Sequence, residues 1–260
     1  VLENKGDQDG AVAFFRKSQE ISEELCRHEP DNQTYKRELG IALANLGRVL
    51  QNRGDQDKAL NHFRVSQEIR KDLCRREPDN LAYARDLGIA LNNVGRVLES
   101  KGDQDGALTH FKKSQKIRED LCRREPGNLA YIREWGIALE NVGRVLENKG
   151  DQDGALAFFR KSQGISEDLC RREPDNLSHK RGFGIALNNL GRVLENKGDQ
   201  DGALALFREN QKISEDLCRR EPDNMAHTRE LSIALNNVGR VLENKGDQDG
   251  ALALFRKSQE

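Results

Sequence analysis

The most constraining feature of this sequence is a repeat with a fixed period of 48 residues. The tetrapeptide GDQD begins at residues 6, 54, 102, 150, 198 and 246, and five cysteines and five prolines recur with the same step and without insertions. A fixed period indicates one supersecondary unit copied along the chain, and such units bury their apolar surface by stacking on their neighbours. The chain is therefore expected to form thin stacked layers rather than one large core.

The composition agrees with thin layers and narrows the range of partners. Hydrophobic residues make up 35% of the chain and charged residues 33%, and the formal net charge is −1. Such a balance provides no basic surface for nucleic acid or for an anionic membrane. No apolar run approaches the roughly 20 residues of a membrane span. We therefore expect no nucleic-acid partner and no membrane partner.

One unit, residues 79–126, is predicted to form two helices. Asn80 offers an N-cap oxygen, and Gly102 ends the first helix. Asp103 caps the second helix, which Pro126 ends. Apolar residues spaced by three or four mark one buried stripe on each helix. They are Tyr83, Leu87, Leu91, Val94 and Leu98 in the first helix and Ala107, Phe111, Ile117 and Leu121 in the second. No segment alternates with a period of two, so no strand is expected.

The repeated positions resemble the tetratricopeptide motif, W-x-x-L-G-x-x-Y followed by A-x-x-x-F. In the first full unit they are Leu43, Leu46, Gly47, Leu50, Ala59 and Phe63. The period departs from that of the family, which is about 34 residues, because each helix is predicted to be about two turns longer. The sequence is similar to the long-period arrays common in bacterial proteins, and its Leu-Asn-Asn segments resemble kinesin light chain type repeats.

The resemblance implies an all-α fold, an α-solenoid of stacked antiparallel helix pairs wound into a right-handed superhelix. Residues 1–260 are expected to form a single array of about five and a half 48-residue units, cut mid-repeat at both ends. The chain is accordingly expected to be a fragment of a larger multidomain protein.

Two features that could indicate a chemical site, the five cysteines and the DQDG motif, are better explained as parts of the fold. The cysteines lie one repeat apart, and helices about 10 Å apart hold them too far from each other for a disulfide. They are predicted to be unpaired packing residues in a reducing, cytoplasmic compartment. The DQDG motif lacks the later ligands of a calcium loop, so helix capping is the prediction. No nucleophile and base can be paired, and we expect no enzyme activity, no metal and no cofactor.

The candidate binding residues lie on the first helix of each unit, which lines the groove in the tetratricopeptide family. Asparagine can donate to and accept from an extended peptide backbone, and arginine can bind a carboxylate through two hydrogen bonds. The candidates are Asn45, Arg48, Asn92, Asn93, Arg96, Asn141, Arg144, Asn188, Asn189, Arg192, Asn236, Asn237 and Arg240.

An alternative for each arginine is an ion pair with the glutamate three residues later, which would make the groove a solvated, self-neutral ladder. Arg48 differs from the others because Gln51 stands at that position, whereas Glu99 follows Arg96. The groove is therefore expected to be most electropositive near Arg48, and an acidic peptide is expected to bind there.

The predicted function is a non-catalytic scaffold that binds a protein or an acidic peptide. Two alternatives remain open. Copies of the chain could associate end to end into a filament or superhelix, because its two ends are in the same phase of the repeat and carry no polar cap. The chain could also be the regulatory repeat domain of an enzyme whose catalytic part lies outside this sequence.

Overall fold

The computed structural model describes residues 8–259, and these residues form eleven α-helices and no strand. The helices are α1 (Gln8–His28), α2 (Gln33–Asn52), α3 (Gln56–Arg76), α4 (Leu81–Ser100), α5 (Gln104–Arg124), α6 (Leu129–Asn148), α7 (Gln152–Arg172), α8 (Leu177–Asn196), α9 (Gln200–Arg220), α10 (Met225–Asn244) and α11 (Gln248–Lys257). The predicted all-α class of stacked helix pairs is confirmed.

The chain divides into two compact units, residues 1–125 and residues 126–260. Unit 1 contains α1 and the pairs α2–α3 and α4–α5. Unit 2 contains the pairs α6–α7, α8–α9 and α10–α11. The single continuous array over residues 1–260 stays a prediction.

Asparagine and glycine fix where the first helix of each pair begins and ends. The side chain of Asn80 accepts hydrogen bonds from the backbone N–H groups of Ala82 and Tyr83, at 3.1 and 3.3 Å. At the other end, Gly102 has a φ angle of +83°, in the left-handed region that residues with a Cβ rarely adopt. The predicted limits of the first helix are confirmed.

The aspartate cap of the second helix depends on a glycine three residues later. Asp103 accepts a 2.8 Å hydrogen bond from the backbone N–H of Gly106. A Cβ at Gly106 would lie 2.3 Å from the Asp103 carboxylate, so the cap needs glycine. Lys58 takes that place in α3, and Asp55 there makes no side-chain cap. The predicted capping role of the DQDG motif is confirmed in α5 and in the three later second helices.

Glycine also brings the two helices of each pair together. Gly95 in α4 faces Phe111 in α5, whose side chain is fully buried. A Cβ on Gly95 would lie 2.8 Å from the Phe111 ring, well inside the roughly 3.5–4 Å at which carbon atoms pack. The same contact joins Gly47 to Phe63 in the preceding pair. The close approach expected from the motif is therefore present.

The second half of α5 is buried through a polar interface. The predicted stripe member Ile117 is only half-buried, whereas Ser114 and Arg118 are buried. Ser114 Oγ donates a 2.8 Å hydrogen bond to the carbonyl oxygen of Gly88 in α4, so its hydroxyl is satisfied inside the interface. The stripe prediction is wrong here because periodicity counts apolar residues and does not register a buried serine that is hydrogen-bonded.

The cysteines are unpaired thiols. Burial raises the pKa of the Cys74 thiol to about 11, which keeps it protonated and unreactive at neutral pH. Over residues 8–259, no helix is long and apolar enough to cross a membrane. The same range holds no group of three or more His, Cys, Asp or Glu side chains placed to bind a metal ion.

Candidate binding face

Three side chains of each first helix lie on one face of that helix, because the second follows the first by three residues and the third follows the first by seven. An isoleucine comes first and an arginine last, with asparagine between them in three of the five helices. We call this row, taken on each helix by itself, the first-helix face. It comprises Ile41, Ala44 and Arg48 in α2, Ile89, Asn92 and Arg96 in α4, Ile137, Glu140 and Arg144 in α6, Ile185, Asn188 and Arg192 in α8, and Ile233, Asn236 and Arg240 in α10.

The isoleucines of this face are functional candidates that the sequence reasoning missed. Ile137, Ile185 and Ile233 are exposed at 43%, 37% and 41%, although isoleucine is usually buried. Their 48-residue period, in phase with the asparagines and arginines, was the available signal. The face therefore offers apolar contact as well as hydrogen bonds and charge.

The arginines of α8 and α10 bind a glutamate of the preceding first helix. Arg192 Nη2 lies 2.6 Å from Glu147 Oε2, and Arg240 Nη2 lies 2.7 Å from Glu195 Oε2. In both pairs the arginine Nε also donates to the other carboxylate oxygen, at 3.0 and 2.9 Å. These are bidentate ion pairs, the stronger geometry for arginine and carboxylate. Each joins residues 45 positions apart.

The predicted pairing of each arginine with the glutamate three residues later is wrong for this ladder. Glu195 follows Arg192 by three residues but binds Arg240. The partners are decided by the offset between neighbouring first helices, which spacing along a single helix does not reveal. Where a first helix lacks this glutamate, the arginine that loses its partner is therefore the one 45 residues later, not the one three residues earlier.

At this separation of 45 residues, the position that would supply a carboxylate to Arg96 is occupied by Gln51. The 45 residues between Gln51 and Arg96 equal the separation of Glu147 and Arg192. The Arg96 side chain is exposed and has no ion pair or hydrogen bond to any residue that the structure describes. Arg48, by contrast, is not without a partner, so the reason for expecting the most positive potential there does not hold.

The asparagines of the first helices bind neighbouring side chains. Asn237 Nδ2 donates to Asn188 Oδ1 at 2.6 Å, and Arg144 Nη2 donates to Asn141 Oδ1 at 3.1 Å. Part of the hydrogen-bonding capacity expected to hold a peptide is thus used within the protein. The other predicted asparagines of α2, α4 and α8 are half-buried; they are Asn45, Asn92, Asn93 and Asn189.

Glu140 gives the first-helix face of α6 a carboxyl group at the place of an asparagine. It is half-buried and accepts a 3.0 Å hydrogen bond from Ser162 Oγ in α7. Burial raises the pKa of its carboxyl to about 7, and the hydrogen bond from Ser162 and the charge of Arg144 oppose this shift. The carboxyl therefore titrates near neutral pH.

Two pockets in unit 2 lie where serine replaces a buried arginine of unit 1. Arg70 in α3 and Arg118 in α5 are only 4% and 9% exposed. The same repeat position carries Ser166 in α7 and Ser214 in α9. Ser166 lines a pocket of about 90 Å³, and Ser214 lines a pocket of about 220 Å³. The shorter side chain accounts for the open volume.

A further pocket, of about 580 Å³, lies in unit 1 between α3, α4 and α5. Leu87 and Ile117 contribute its apolar surface, and Lys113 lies at its edge. One repeat later, Trp135 stands at the position of Leu87, and Lys161 Nζ lies 4.8 Å from the centre of its ring. The smaller leucine therefore leaves open the space that an indole ring occupies in the next repeat.

Family models of the tetratricopeptide repeat match three parts of the chain. One model matches residues 39–76 and 185–218, and a second matches residues 138–169. Each matched segment starts within a first helix and continues into the second helix of the same pair. None of the curated proteins matches this chain.

Solved structures with the same fold include BtubC (BKLC) from P. vanneervenii, with a TM-score of 0.73 and 17% identity over 97% of this chain and 89% of that chain. A putative kinesin light chain from Podosopora anserina, with nearly identical TPR-like repeats, has a TM-score of 0.61 and 13% identity over 86% of this chain and 94% of that chain. A Rap protein complexed with Competence and Sporulation Factor has a TM-score of 0.58 and 12% identity over 95% of this chain and 62% of that chain. At these identities the likeness concerns the fold alone.

Proposed function

We propose that this chain, which is a tetratricopeptide-like repeat protein, is a non-catalytic scaffold whose first-helix face binds an acidic peptide segment of a protein partner. The observation that carries the proposal is the exposed Arg96, whose ion-pair position is taken by Gln51. An arginine that lies on a binding face and whose charge is not neutralised can donate two hydrogen bonds to the carboxylate of a ligand. This is the bidentate geometry that Arg192 forms with Glu147.

The neighbours of Arg96 on α4 suit the rest of such a segment. Ile89 provides half-buried apolar surface on the same face, and the amides of Asn92 and Asn93 can bind the peptide backbone. The Rap protein of similar fold that is complexed with Competence and Sporulation Factor supports the idea that such a helical array holds a ligand.

The test is a titration of short acidic peptides, chosen from a peptide library, against the protein and two variants. Because a hydrogen bond to a charged group contributes roughly 1.5–3 kcal/mol, Arg96→Ala should weaken binding by about tenfold or more. Gln51→Glu should weaken it by a similar factor, since it supplies Arg96 with the carboxylate that Glu147 supplies to Arg192.

Arg240→Ala is the matched control, because Arg240 is already bound by Glu195. We expect it to leave the affinity for the acidic peptide within a factor of about two. Equal losses in Arg96→Ala and Arg240→Ala, or no preference of the protein for acidic over basic peptides, would contradict the proposed function.

A further inference from the structure

The buried arginine of unit 1 shows how this fold holds a guanidinium group between repeats. Arg70 Nη1 donates a 2.9 Å hydrogen bond to the carbonyl oxygen of Asp86 in α4, and Nη2 lies 3.4 Å from the carbonyl oxygen of Gly40 in α2. Each of these oxygens belongs to a helix and has a second lone pair beyond the one used by the helix. At Gly40, Arg70 shares the oxygen with Ser66 Oγ, which donates to it at 2.6 Å. Two first helices thus supply the acceptors for one guanidinium carried by α3.

The 220 Å³ pocket of unit 2 is lined by the residues that correspond to Gly40 and Asp86, without the arginine, and by Asn210 at the position of Ser66. Ser214 stands at the position of Arg70, and the residues 30 positions before it and 16 positions after it are Gly184 and Glu230, which correspond to Gly40 and Asp86. Ser214, Gly184 and Glu230 all line the pocket.

The charges around the pocket match those that Arg70 tolerates. Arg181 binds Glu230 at 2.7 Å, as Arg37 binds Asp86 at 2.7 Å in unit 1. Burial lowers the pKa of Arg70, Asp86 opposes the shift and Arg37 adds to it, yet a guanidinium stays protonated. The remaining cation at the pocket, Arg229, corresponds to Arg85 of unit 1. An additional guanidinium would therefore meet an arrangement of charges that the fold already accommodates.

The pocket opens on the first-helix face. Ile185 and Ile233, which are exposed, and Asn188 line it together with Ser214. We propose that this pocket binds the arginine side chain of a protein segment lying on the first-helix face of unit 2. The apolar part of the side chain would pack on the isoleucines, and the guanidinium would donate to the carbonyl oxygens of Gly184 and Glu230. The inference rests on the proposed function only in placing a partner on this face.

The test uses N-acetyl-arginine N-methylamide, titrated onto the isotope-labelled protein and followed by NMR. We expect amide shifts centred on Gly184 and Glu230. The citrulline analogue lacks the charge and one donor group, so it should bind at least about tenfold more weakly. The lysine analogue keeps the charge but lacks the planar fork and should also bind at least about tenfold more weakly.

Two substitutions fill the pocket from within the protein. Ser214→Arg supplies its own guanidinium, and Ser214→Met fills the same space without one, so that one blocked variant remains if the other does not fold. Both should abolish the shifts at Gly184 and Glu230, whereas Arg96→Ala should leave them unchanged. If the protein does not bind acidic peptides but still shows these shifts with the arginine ligand, only the proposed function is contradicted.

The inference is overturned by any of three results. They are the absence of shifts at Gly184 and Glu230 at saturating arginine ligand, equal binding of the arginine and citrulline ligands, and unchanged shifts in a folded Ser214→Met protein.

Discussion

At the scale of single residues, the chain differs from a uniform repeat through a few substitutions, and Glu140 has the clearest physical consequence. It stands where Asn92, Asn188 and Asn236 stand in other first helices. Its carboxyl is largely removed from water, and burial raises its pKa to about 7. The folded protein thus holds this proton at pH values at which the unfolded chain has released it.

This shift predicts a stability that falls with rising pH. The contribution of Glu140 is fully present below its ordinary pKa of 4.5 and is lost as the pH rises to about 7. A shift of this size corresponds to about 3 kcal/mol of unfolding free energy. Glu140→Asn, the residue of the other repeats, should remove the effect. Urea denaturation of both proteins from pH 4 to pH 8 measures it, and a free-energy difference that does not change with pH would contradict the assignment.

At the scale of the helix pair, glycine has opposite effects at two positions of the first helix. A Cβ at Gly95 would meet the buried ring of Phe111 at 2.8 Å, whereas a Cβ at Gly182 would have no atom within 4 Å. Gly182 stands where Glu38, Asp86, Glu134 and Glu230 carry an acid. The first glycine is required by packing, and the second only adds flexibility to α8.

The two glycines therefore predict changes of opposite sign. Gly95→Ala should lower the unfolding free energy by about 1–3 kcal/mol, because the Phe111 ring cannot move without strain. Gly182→Ala should raise it by up to about 1 kcal/mol through helix propensity. Thermal and urea unfolding of the two variants make a matched comparison. Stabilisation by Gly95→Ala would show that the pair is packed less tightly than its geometry indicates.

The pocket beside Leu87 allows a third test of packing within a pair. In Leu87→Trp, the indole should occupy the pocket beneath Lys113, as Trp135 lies beneath Lys161. Burial of the ring and the cation–π contact should raise the unfolding free energy by about 1–2 kcal/mol. Leu87→Ala, which places no ring in the pocket, is the control and should not stabilise. An equal gain in both variants would show that the ring in the pocket is not the cause.

The helix pair was largely predictable from the sequence, and the contacts between pairs were not. The caps at Asn80 and Gly102 and the contact of Gly95 with Phe111 follow from local rules, because residues close in sequence decide them. The partner of Arg192 and the burial of Arg70 depend instead on how far one repeat is displaced against the next. Spacing within one helix contains no information on that displacement, so the expected pairing with Glu195 was wrong.

At the scale of the whole molecule, the period of 48 residues fixes the sequence separations at which charged side chains meet. Several ion pairs within each unit join residues 44, 45 or 49 positions apart, as in Lys245 with Asp201, Arg240 with Glu195 and Arg181 with Glu230. Exposed pairs of this kind contribute only about 0–1 kcal/mol each. Their effect is on alignment, since a displaced repeat would place charges opposite the wrong partners.

The ion pairs that join the arginine of one first helix to the glutamate of the preceding first helix have a consequence for deletion and duplication of whole repeats. Removal of residues 148–195, which amount to one period, would bring Arg240 to the position that Arg192 holds beside Glu147. The joint would need no compensating substitution, because donor and acceptor at the new boundary are the same two residue types. Loss or duplication of a whole period thus keeps these ion pairs in register, and the residues that distinguish one period from another, such as Gln51 and Ser214, move with the period that carries them.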